Sequence, residues 1–172
     1  MKCFLLCVIG VSLLTAACSP TEPQATTSST DGSCTVSKLV LGPEGFAPYG
    51  LARAGPVWFS AFGRVDPGAP ATLAATGPYD GWKIVIHPDP KASGNADVTG
   101  VQCSSGKAVR FCYVACNWDT RLNAPTKLQV DIGRHGDYTG YMVFPGPGLM
   151  RLTATELTGK MHTVVIDVPS TP

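Results

Sequence analysis

The clearest pattern along the chain is a strict alternation near its C-terminus. Met150, Leu152 and Ala154 alternate with Arg151, Thr153 and Thr155, so a strand here has one apolar and one polar face. Beyond a Gly-containing turn, Leu157-Thr158-Gly159-Lys160, a second alternation sets Val164, Ile166 and Val168 against Thr163, Val165 and Asp167. Ahead of both, Tyr141–Phe144 is a short apolar run stopped by Pro145-Gly146-Pro147-Gly148, whose prolines donate no ladder bond. Three strands of this kind need a second layer to cover their apolar face.

The earlier segments supply it. Thr35–Leu41 is β-branched and apolar enough for a first strand, ended by Gly42-Pro43. Residues 44–54 read as loop, with Gly45, Pro48 and Gly50 as punctuation. Pro56–Phe62 is a continuous apolar strand, and Gly63–Gly81 a Pro-rich surface connection. Trp82–His87 places Trp82, Ile84 and Ile86 on one face and Lys83, Val85 and His87 on the other. Val98–Cys103 and Ala108–Val114 flank a hairpin turn, Ser104-Ser105-Gly106-Lys107, and Leu128, Val130 and Ile132 mark another amphipathic strand. No segment shows a sustained helical period. The fold class expected is all-β, an immunoglobulin-like antiparallel sandwich of about seven to nine strands.

The N-terminus reads differently. Met1-Lys2 supplies a positive charge, Phe4–Leu14 is uncharged and apolar, and small residues follow, as in an export signal. The run is shorter than the roughly 20 apolar residues of a membrane span. Leu14-Thr15-Ala16-Ala17-Cys18 resembles a bacterial lipobox, with leucine one position further from the cysteine than is usual there. The resemblance implies cleavage after Ala17, acylation of Cys18 (palmitate among the chains) and a membrane anchor. The alternative is an ordinary secretory signal that leaves Cys18 free. Residues 18–33, rich in Ser, Thr and Pro, read as a flexible tether reaching about 20 Å, and 34–172 as the folded domain. Processing removes only Lys2 among charged residues, so the net charge falls from +1 to zero. A neutral chain lacks the basic footprint of nucleic-acid binding.

Of the seven cysteines, Cys34, Cys103, Cys112 and Cys116 remain for the domain. An even number in an exported protein favours two disulfides. Spacing does not choose among the pairings. Because Cys103 and Cys112 flank one hairpin, their bond is favoured, leaving Cys34 for Cys116. The C-x8-C-x3-C spacing lacks the paired knuckles of a zinc site.

Catalytic and cofactor signals are sparse. No G-x-S-x-G elbow is present, and Asp89, Asp119, Asp131, Asp137 and Glu156 are dispersed. Gly100–Ala108 approaches the phosphate-loop pattern but has one residue too many between its glycines and Ala108 in place of Ser/Thr. No catalytic residue, metal ligand or cofactor is therefore assigned. The three histidines are His87 and His135, read as strand-end loops, and His162, in phase with Val164 and Ile166. Together with Met142, Met150 and Met161 they define an alternative, a copper- or zinc-handling envelope protein. Trp58, Trp82 and Trp118 would form a platform for a protein or carbohydrate partner if exposed. Trp118 is the best placed of these, against the plainer reading of a Trp packed over a disulfide.

Tyr141–Gly148, with Gly55-Pro56-Val57-Trp58 earlier, resembles a group of uncharacterised exported bacterial proteins with an F-P-x-P-G turn near the C-terminus. In many of them Cys-Trp follows the turn, where this chain has Leu149-Met150. The resemblance implies export and fold and carries no activity. The expected function is that of a membrane-anchored extracytoplasmic binding or structural module.

Overall fold

Alternation of residue type becomes alternation of burial. In the computed structural model, which describes residues 34–42, 50–60, 66–73, 82–113, 121–132 and 136–170, Met150, Leu152 and Ala154 are completely buried and their polar neighbours half-buried. They belong to a nine-residue strand, Gly148–Glu156, whose backbone is paired on both sides. Residues 1–33, with the signal, Cys18 and the tether, lie outside the described residues.

Ten strands are described. In chain order they are β1 (Val40–Leu41), β2 (Gly50–Ala54), β3 (Val57–Ser60), β4 (Trp82–Pro88), β5 (Asn95–Gln102), β6 (Arg110–Tyr113), β7 (Lys127–Asp131), β8 (Tyr138–Val143), β9 (Gly148–Glu156) and β10 (Met161–Val168). They form a six-stranded sheet, β1-β2-β3-β4-β8-β6, and a four-stranded sheet, β10-β9-β5-β7. All of these pairings are antiparallel. The molecule is thus an all-β sandwich, as its patterning predicts. Val57, Phe59, Ile84, Ile86, Phe111 and Met142 from the first sheet meet Val98, Val130, Met150, Leu152, Val164 and Ile166 from the second in one apolar cluster. Burying each such side chain contributes roughly 1.5–3 kcal/mol before conformational entropy is set against it.

Gly50–Ala54, within the segment read as loop from the punctuation of Gly45, Pro48 and Gly50, is a strand with Leu51, Ala52 and Ala54 buried. Its small residues fit beneath a neighbour: a Cβ on Gly50 would lie 2.6 Å from Cβ of Leu39. The first strand shrinks to Val40–Leu41 plus a bridge from Lys38 to Pro70. The Pro-rich connection is not all surface, because Ala71 and Leu73 are buried. That segment bonds the edge strand β10 through Leu73 N to Asp167 O and Asp167 N to Ala71 O. Ser37 covers the same edge by bonding Val165. Backbone groups that would template another chain are thereby satisfied.

The favoured cysteine pairing is also overturned. Cys34 is bonded to Cys103. The hairpin at 103–107 exists, with Gln102 N bonding Lys107 O and Val109 N bonding Gly100 O, but it lasts only a few residues. At Val109 the chain leaves the four-stranded sheet, and Cys112 lies in β6 of the other sheet. Val109 is completely buried at this crossing. Gly100 makes room for it, since a Cβ there would come within 2.7 Å of Leu152 Cδ2 and 3.0 Å of Val109. Cys103 and Cys112, flanking one turn in sequence, are thus on different sheets. Cys112 is itself disulfide-bonded, and Cys116, expected to pair with Cys34, lies outside the described residues.

The Cys34–Cys103 bond spans 69 residues, so it removes considerable loop entropy from the unfolded chain. Replacing both cysteines by serine is expected to lower unfolding free energy by about 2–4 kcal/mol in urea titration. Leu152→Ala, at a completely buried site, is expected to cost about 2–5 kcal/mol in the same assay.

Candidate functional site: Ser60, His87 and Asp137

The face of the six-stranded sheet turned away from the core carries an unexpected polar group. Val57 and Phe59 point inward from β3, so Trp58 and Ser60 point outward. Ile84 and Ile86 point inward from β4, leaving Lys83, Val85 and His87 outward. Tyr138 opens β8 on the inward phase, and Asp137 precedes it on the outward one. The register then aligns the three strands. Trp58 faces His87, Ser60 faces Val85, and the Ile86–Tyr138 pair puts Asp137 in the next row, beside His87.

The side chains meet accordingly. His87 Nδ1 lies 2.7 Å from Asp137 Oδ1, and His87 Nε2 lies 3.0 Å from Ser60 Oγ. Ser60 Oγ is also 3.3 Å from the Val85 carbonyl, a longer contact for its single proton. A neutral ring that donates from Nδ1 to the carboxylate presents Nε2 as an acceptor to the hydroxyl. His87 is buried, Ser60 half-buried, and the Asp137 side chain 44% exposed. The expectation that His87 sits in a loop is corrected: it is the sixth residue of β4, and the proline after it ends the strand.

Trp58, opposite His87, is 5% exposed and so is no open platform. The Arg53 guanidinium stacks over its ring at 4.4 Å and extends to Asp89 at 3.7 Å. Its indole Nε1 is buried with no hydrogen-bond partner, an uncommon state for such a donor.

The remaining histidine described is elsewhere. His162 Nε2 lies 2.6 Å from Glu156 Oε1, and its ring packs against the β2–β3 turn. There Gly55, at φ +57°, would place a Cβ 2.3 Å from the imidazole. His87 and His162 therefore each engage a carboxylate of their own, and no group of three His, Cys, Asp or Glu side chains suited to a metal occurs among the described residues. Met142 and Met150 are core, and Met161 is 67% exposed. His135, Cys116, Trp118 and Asp119 lie outside the described residues. A separate hollow of about 320 Å³ is lined by Lys107, Arg110, Phe144 and Pro145, among others, where the F-P-G-P-G turn meets the start of β6.

No protein-family model matches the chain. No curated protein and no solved structure matches it either.

Ser60 carries no sequence signal, since it follows an apolar run with no motif around it. Sheet register alone brings it to His87. His87→Leu would remove both bonds and leave two polar partners unmet. A loss of about 1–3 kcal/mol is expected in urea unfolding, while Asp137→Ala, at a more exposed position, is expected to cost about 1 kcal/mol.

Proposed function

We propose that the protein is a lipid-anchored module held outside the cytoplasmic membrane in a bacterial envelope, with a binding or structural role. The observation that carries this reading is the Cys34–Cys103 disulfide. Such bonds persist in oxidising, extracytoplasmic compartments, which agrees with an export signal at residues 1–17. Cys34 also stands where the Ser/Thr/Pro-rich tether joins the domain. Tension along that tether would reach Cys103, beyond the end of β5, through a covalent bond, so the short strand β1 would not have to bear it.

The anchor in this reading is the acyl group on Cys18, because a mature chain of zero net charge has no polybasic attraction for anionic lipid. Binding is supported by the hollow at the F-P-G-P-G turn, whose volume is within the range of ligand sites. Lys107 and Arg110 beside Phe144 and Pro145 suit a protein or carbohydrate partner that offers an anionic group next to an apolar surface. Copper or zinc handling is the weaker alternative, since His87 and His162 hold separate carboxylates and Met142 and Met150 are in the core.

Intact mass on protein purified natively from membranes is expected to show acyl chains on Cys18 and no free thiol. Cys18→Ala is expected to move the protein to the soluble fraction. Wild-type protein without acyl mass, recovered free of membrane, would remove the anchor from the account.

A further inference from the structure

We infer that Ser60, His87 and Asp137 form a nucleophilic site that cleaves an ester through an acyl-serine intermediate. This goes beyond a tethered binding module and does not depend on the anchor. The observation behind it is the assignment of atoms. Serine hydroxyl contacts Nε2 at 3.0 Å and carboxylate contacts Nδ1 at 2.7 Å of the same buried imidazole. That is the arrangement in which a histidine takes a proton from a serine while a carboxylate holds its ring and tautomer. Triads are recognised by such roles and not by chain order, so a Ser–His–Asp sequence of strands is no obstacle.

A second observation comes from Trp58. It stands directly opposite His87 and on the same outward face as Ser60. Its Nε1–H is a buried donor lacking a partner, and its residue is 5% exposed. Acyl transfer develops negative charge on the carbonyl oxygen and needs a preorganised donor beside the nucleophile. Among the described residues, the indole N–H is a buried side-chain donor on this face with no partner.

The chemistry balances without a cofactor. Ser60 Oγ attacks the ester carbonyl carbon while its proton passes to His87 Nε2, and Asp137 steadies the imidazolium. As the tetrahedral intermediate collapses, the bond to the alcohol oxygen breaks and His87 returns the proton to the departing alcohol. Water, deprotonated by His87, then attacks acyl-Ser60 and releases the carboxylic acid, with the proton restored to Ser60. The net reaction is ester plus water to acid plus alcohol. Ser60 and His87 are the catalytic residues, and Asp137 is a positioning residue.

The test is covalent capture on the full-length protein with a fluorophosphonate, read by intact mass and peptide mapping. Attack by Ser60 expels fluoride and leaves one phosphonyl group. The expected result is a single adduct on the peptide carrying Ser60, lost in Ser60→Ala. Labelling should be slowed by about a hundredfold or more in His87→Gln and slowed substantially in Asp137→Asn. Trp58→Phe should slow p-nitrophenyl acetate turnover at unchanged folding. Mapping on the wild-type chain keeps the test valid if a variant fails to fold. Folded wild-type protein that takes up no label at Ser60, or labels equally in Ser60→Ala, would overturn the assignment. A Ser60 adduct whose rate is indifferent to His87→Gln and Asp137→Asn in folded variants would do so too.

Discussion

The architecture depends on a strand that is paired along both of its edges. β9 bonds β10 on one side and β5 on the other over most of its length, so its side chains have only the two faces of the sheet to occupy. One face holds Met150, Leu152 and Ala154 and must be covered by the opposite sheet. A slip of one residue would turn Arg151 and Thr153 into the core. The register of the four-stranded sheet is therefore set by the apolar phase of β9, and the second sheet, bearing Val57, Phe59, Ile84 and Ile86, is positioned to meet it.

Covalent and steric constraints then join the layers. The passage between sheets after β5 requires a backbone with no side chain at Gly100, because Val109 and Leu152 fill that space. The disulfide ties the domain's entrance to the residue that follows β5. Edge strand β10 is protected by segments from far away in sequence, Ser37 and Ala71–Leu73, which satisfy backbone groups that would otherwise face solvent or another chain. These contacts make the entrance and the Pro-rich connection integral parts of the sandwich.

With the core settled in this way, the outward face of the six-stranded sheet is free to hold polar chemistry. A buried imidazole requires partners at its nitrogens. Here they are supplied by an adjacent strand on one side and the approach to another on the opposite side. The same arrangement satisfies the histidine and orients a hydroxyl, which is why one hydrogen-bonded group bears on both stability and reactivity.

Period-two alternation in residues 127–132 and 148–168 made strands, faces and the all-β class legible, because side chains in a strand point alternately to two sides whatever the partner. The turns at Pro145–Gly148 and Leu157–Lys160 were equally legible, since proline and glycine restrict the backbone locally. Gly50–Ala54 was misread because Gly50 resembles loop punctuation when the neighbour filling the space, Leu39, is unknown. The disulfide pairing and the Ser60–His87–Asp137 group were illegible for a related reason. Sequence proximity suggested Cys103 with Cys112, yet the crossing at Val109 separates them and delivers Cys34 instead. Nothing in the chain joins Ser60 to residues 27 and 77 positions away, until β3, β4 and β8 align in register. Local sequence thus determined which residues turn inward, while tertiary pairing decided which outward-facing residues meet, because that depends on strand order and register, to which a local pattern is blind.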